Sequence, residues 1–185
     1  MKRFVAFLGS INVGNNRLKM VDLRAALERE DFCDIETVAA SGNVLFAHDP
    51  MPSAGLAEKI AWIVREEFDI ESEVVVMQRD ELAAIISENP FAPDGEEKQV
   101  HTIFFLDQPG ETQVKALKMD NEARNSPERI AAGTKALHID YVEGVGRSNL
   151  TGDFITRRLG IRGTARNMKS MKRILAKMDE LEASA

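Results

Sequence analysis

Two short apolar runs, Phe4–Leu8 and Val100–Leu106, each open the same succession of local patterns. This recurrence limits what the chain can fold into more than any other feature. FVAFL is continuously apolar and closed by Gly9-Ser10, the pattern of a strand buried on both faces. A Gly/Asn-rich loop, GSINVGNNRLK, follows. Met20–Arg29 then carries Met20, Leu23, Ala26 and Leu27 at helical spacing. Residues 35–40 and 43–47 read as strands turning at Ser41-Gly42, a hairpin signal. Beyond Pro50 and Pro52, a helical stripe runs through Ile60, Ile63, Val64 and Phe68, and Val74–Met77 reads as a strand. The order β-α-β-β-α-β is that of a ferredoxin-like plait, an antiparallel sheet with helices on one face.

A helix over Asp80–Glu88, with Asp80 as N-cap, stops at Asn89-Pro90, and the polar stretch Pro90–Lys98 reads as a linker. The second apolar run is followed by a helix over Glu111–Met119, a hairpin over 128–132 and 135–142 turning at Gly133-Thr134, and a helix from about Leu150 to Leu159. The first five elements thus recur in order, without recurring residue identity. A final helix over Ala165–Leu181, with Met168, Met171, Ile174, Leu175, Met178 and Leu181 on one stripe, replaces or follows the sixth element. The expected class is α+β: two ferredoxin-like halves in tandem, antiparallel sheets covered by helices, with an extra C-terminal helix. The halves are residues 1–89 and 99–185, joined by 90–98.

A chain of 185 residues buries roughly 70% of its unfolded surface and needs no cross-link to fold. The single cysteine, Cys33, excludes a disulfide framework and a cysteine-based zinc cluster. The N-terminal apolar run is too short for a secretory or membrane-spanning segment, so a soluble, cytoplasmic protein without a membrane partner is expected. His48, His101 and His138 lack metal-ligand spacing, no Gly-x-Ser-x-Gly elbow is present, and no cofactor is implied.

Charge is unevenly distributed. The chain carries −6 overall, yet residues 147–177 hold nine basic residues and one acid, Asp153, for a local +8. The remainder therefore carries −14. Such a segment attracts a phosphate or polyanion even on an acidic molecule. The competing reading is a solvated helix face, with Arg157 and Arg158 complementing a helix C-terminus. Phe154 is the segment's single aromatic, too few for base stacking, so any nucleic-acid contact would run through phosphates.

Four polar loops carry candidate binding residues. Gly9–Gly14 has the glycine spacing of a P-loop, but Asn15 and Asn16 stand where Lys and Ser/Thr are required, which argues against a nucleoside triphosphatase. Asn12, Gly14 and Asn16 still offer neutral hydrogen bonds and open backbone. Ser41 and Asn43 flank Gly42 at the first hairpin turn. In Gly144–Ser148, Ser148 or Asn149 reads as the N-cap of the next helix, and Arg147 adds a cation beside it. In Thr164–Asn167, Thr164 reads as an N-cap. Arg166 in a first helical turn would then oppose the helix dipole and require a ligand or buried acid.

Leu8–Gly14, Leu18-Lys19-Met20, Ser41-Gly42-Asn43, Glu143–Ser148 and Thr164–Asn167 together resemble, in order, the bacterial family called domain of unknown function 1697. Gly9 stands where that family often has Arg, and Met168 where it often has Trp. The resemblance implies two fused ferredoxin-like halves and brings no reaction with it. The leading functional expectation is a phosphate-bearing ligand, a nucleotide or nucleic-acid backbone, bound by Asn12, Gly14, Asn16, Ser41, Asn43, Arg147, Ser148, Thr164, Arg166 and Asn167. Two alternatives stand beside it. One is an enzyme for a small anionic metabolite with Asp22 or Glu143 as base. The other is an interaction module built on Lys172 and Arg173.

Overall fold

A computed structural model describes residues 1–38 and 42–184. The fold is mixed α+β, with two four-stranded antiparallel sheets and six α-helices among the described residues. The chain divides into two compact units, one of Met1–Leu82 with the chain from Ile174 onward, the other of Ala83–Arg173.

In the first unit, β1 (Lys2–Leu8), β2 (Cys33–Thr37), β3 (Asn43–His48) and β4 (Val74–Met77) form a sheet in the order β2-β3-β1-β4. The central strand β1 pairs through Phe7↔Asn43 with β3 and through Leu8↔Val74 with β4. Helices α1 (Met20–Glu28) and α2 (Ser53–Phe68) bury the stripes their spacing predicts. Leu23, Leu27, Ile60 and Val64 join Phe4, Ala6, Leu8 and Phe46 in one cluster. Alternate residues of β1 reach that cluster because strand side chains point to opposite faces in turn.

In the second unit, β5 (Val100–Phe104), β6 (Arg129–Gly133), β7 (Ala136–Asp140) and β8 (Thr164–Asn167) form a sheet in the order β6-β7-β5-β8, the same permutation. Helices α4 (Glu111–Ala123) and α5 (Gly152–Leu159) cover one face, where Ile103, Leu137 and Ile139 meet Leu117, Ile155 and Leu159. The other face carries Thr102, His138 and Arg166 side by side across three strands. Helices α3 (Arg79–Glu88) and α6 (Met168–Ala183) each contribute residues to both units. Gln78 N–H donates to Glu81 at the start of α3, so the helix begins one residue earlier than its expected Asp80 cap.

The sequence expectation is wrong at the last helix. Thr164–Asn167 is a strand, not a first helical turn, and α6 begins at Met168. Thr164 therefore caps nothing; it pairs with Phe104, while Asn167 Oδ1 accepts from Ser170 N at 2.9 Å and acts as the cap. Arg166 lies in a strand, so no dipole opposes it. Gly163 lets this strand approach: a Cβ there would lie 2.5 Å from the Phe104 carbonyl. The expected cap of α5 also shifts. Thr151 accepts from Phe154 N, and the helix begins at Gly152 rather than after Ser148 or Asn149.

Candidate functional site

Each unit gathers part of the expected site at one end of its sheet. In the first unit this is the end where β1 finishes and β3 and β4 begin. Leu8 N–H donates to the Gly42 carbonyl at 2.8 Å, so the loop after β1 and the hairpin turn lie against each other. Gly42 has φ +72, and a Cβ there would lie 2.9 Å from the Leu8 carbonyl, which requires glycine on both grounds. Asn12 adopts φ 56 and bridges its own loop, donating to the Leu18 carbonyl and accepting from Leu18 N, each at 3.0 Å. Asn16 donates to Ser10 O at 2.8 Å. Asn43 is buried and donates to Val38 O at 2.9 Å. Gly14 is exposed with φ 58. Ser41 lies outside the described residues.

Two residues that sequence reading passed over close this loop. Ser72 Oγ donates to Gly9 O at 2.7 Å, and Ser10 Oγ donates to Glu73 at 3.2 Å. They lie 63 positions from their partners, and no local pattern links them. Asparagine and serine suit such a loop because they substitute for backbone partners where no ladder is available.

In the second unit the relevant end is where β5 starts and β7 and β8 finish. Tyr141 N–H donates to Gln99 O, and a Cβ on Gly144 would lie 3.5 Å from Gln99 Oε1. Lys169 N–H donates to Glu97 O. The Glu96–Gln99 turn thus lies between the loop that carries Arg147 and the start of α6. Arg147 occupies a 3-10 turn over Val145–Arg147, is exposed, and has no ion-pair partner among the described residues. Ser148 Oγ accepts from Leu150 N at 2.9 Å and donates to Glu128. Asn167 lies at this end, opposite His101. Thr164 lies at the other end of β8, three residues and about 10 Å away along a strand.

Arg166 lies between them, opposite Thr102. It donates to Thr164 Oγ1 at 2.9 Å and to Ala165 O at 2.8 Å, and burial pushes its guanidinium down to about 10. It still carries its charge at neutral pH. In register across Thr102 stands His138, fully buried, with Nδ1 3.0 Å from Thr102 Oγ1 and Nε2 3.5 Å from Glu88. Burial holds this imidazole below its ordinary value against the pull of Glu88. His101 is likewise depressed by burial, against a hydrogen bond to Gln99 O.

The basic segment is not uniformly neutralised. Arg158 pairs with Asp120 at 2.7 Å, Lys172 with Glu97 at 2.5 Å, and Lys177 with Glu36 and Glu180. Arg147, Arg157, Lys169 and Arg173 are exposed, belong to the second unit and form no ion pair among the described residues. Phe154 is half-buried against the core, and Arg124 lies 4.2 Å from its ring. A neighbouring cleft of about 380 Å³ holds Asp94, Glu96, Arg129 and Asp140. Arg129, the one cation among its described lining residues, is bound by both Asp94 and Asp140, and holds the Asp94 carboxyl below its usual range. Among its described lining residues, that cleft offers no free positive charge to an anion.

The profile of the family described as "Protein of unknown function (DUF1697)" matches residues 1–138. A conserved bacterial protein from Streptococcus pneumoniae is similar in structure, with a TM-score of 0.70 at 19% identity, covering 97% of this chain and 99% of that one. No curated protein matches the chain. Among the described residues, no helix is long and apolar enough to cross a membrane.

Proposed function

The chain belongs to the DUF1697 family of proteins of unknown function, and within that frame we propose that it binds a phosphate-bearing ligand through the second unit. One observation carries this reading: Arg147, Arg157, Lys169 and Arg173 lack acidic partners among the described residues of a chain whose acids outnumber its bases by six. Unneutralised cations repel one another. The four fall within 27 consecutive positions of an acidic protein, which gives that stretch a positive local charge able to attract an anion. Phosphate suits them because guanidinium and ammonium groups form charge-assisted bonds to its oxygens. We read the repeated permutation, β2-β3-β1-β4 and β6-β7-β5-β8, as two tandem ferredoxin-like halves, with this segment in the second. The asparagines of the first unit brace loops in this reading, and the cations supply the affinity.

Binding of a fluorescent ten-nucleotide single strand, titrated between 50 and 200 mM salt, tests the reading. Four phosphate contacts give a slope of about −3 in log K against log salt. The charge-reversal pair Arg157→Glu/Lys169→Glu lowers that slope by about half. Affinity that ignores salt, for this strand and for mononucleotides alike, defeats the reading.

A further inference from the structure

Glu128 presents an anomaly. It is only 7% exposed, it faces no cation among the described residues, and its Oε2 is buried without a hydrogen-bond partner among them. A buried carboxylate in this state costs stability, and glutamine would hold the same neighbour without burying a charge. Its Oε1 receives one side-chain donor, Ser148 Oγ. Ser148 also accepts from Leu150 N, so its hydroxyl proton is aimed at the carboxylate while a second lone pair on Oγ is unassigned. Tyr141, the nearby phenol, donates to Leu150 O at 3.3 Å. Burial first, and then the Glu128 charge, push it up to about 12, so it stays neutral. Ser148 is half-buried and Arg147, beside it, is exposed.

We propose that Ser148 is a nucleophilic hydroxyl with Glu128 as its general base, and that the pair hydrolyses esters whose acyl part bears an anionic group held by Arg147. The last clause rests on the anion-binding reading above; the dyad does not. A hydroxyl bonded to a desolvated carboxylate is the arrangement that general-base activation requires. In the first step Oγ bonds to the acyl carbon while its proton passes to Glu128 Oε1. The ester C–O bond breaks, and Glu128 returns the proton to the departing alcohol. Water then gives a proton to the same carboxylate and attacks the acyl carbon; the C–Oγ bond breaks, Glu128 passes the proton to the departing Oγ, and the acid is released with Ser148 and the carboxylate restored. Ester and water become acid and alcohol, with water the one co-reactant. Twenty positions separate Glu128 from Ser148, so no sequence pattern announces the pair.

A fluorophosphonate, which phosphonylates activated serines, tests the dyad directly. Peptide mass spectrometry should find the adduct on Ser148 of the unaltered protein. Glu128→Gln, which keeps a hydrogen-bond acceptor for Ser148, should label about 100-fold more slowly while its urea midpoint holds or rises. No adduct on Ser148, or equal labelling of Glu128→Gln, overturns the proposal. A second assay compares p-nitrophenyl hemisuccinate with p-nitrophenyl acetate. Arg147→Gln should slow the first about tenfold more than it slows the second. Equal rates on both esters with labelling intact overturn the role of Arg147 and leave the dyad standing.

Discussion

At the scale of single residues, the polar side chains divide by what they touch. Asn12 and Asn43 look like ligand donors in sequence, yet each has a backbone partner inside its own loop. Replacing Asn43 by alanine leaves the Val38 carbonyl without its donor and is expected to cost about 1–3 kcal/mol, read from urea unfolding. His138 makes a pH prediction. Its folded value lies below the ordinary 6.5, so the unfolded chain binds the proton more readily. Stability is therefore complete above pH 6.5 and falls as pH drops below it, and His101 acts in the same direction. The charges around His138 include Glu88, 3.5 Å away on α3, and Arg166, beyond Thr102 on β8. Glu88 also holds the β6–β7 turn, accepting from Thr134 N and Oγ1. The urea midpoint should fall between pH 7.5 and 5.5, and His101→Gln/His138→Gln should flatten that fall. An unchanged fall in the double variant would count against this assignment.

At the scale of elements, long amphipathic helices and central strands were legible. α1 and α2 end within a few residues of their expected bounds because their apolar spacing sets which face turns inward. β8 was not legible. Its four residues, Thr-Ala-Arg-Asn, have no apolar alternation and abut a strongly helical segment. Pairing with β5 decides its conformation, through partners about sixty positions away in sequence. Gly163 is the local condition for that pairing. Gly163→Ala directs a methyl group at the Phe104 carbonyl and should cost about 1–3 kcal/mol, with loss of amide protection in β8 measured by hydrogen exchange. Asn167→Ala removes the cap of α6 and should cost about 1 kcal/mol.

At the scale of the whole molecule, the charge asymmetry is the dominant property. The protein should be retained on a phosphocellulose column at pH 7 although its sequence pI is about 5.2. Reversal of Arg147, Arg157 and Lys169 to glutamate should abolish retention while the free energy of urea unfolding stays within about 0.5 kcal/mol of the parent, as for exposed residues lacking ion-pair partners among the described residues. By itself the sequence determined the element order as far as α5, the antiparallel α+β class, the inward stripes and the position of the cations. Those properties follow from local periodicity and composition, which a chain carries before it folds. Tertiary structure alone decided which cations are neutralised, that Thr164–Asn167 becomes a strand, and that Glu128 meets Ser148. Each of these depends on contacts between distant positions, and a contact energy exists only once the chain has closed the intervening loop.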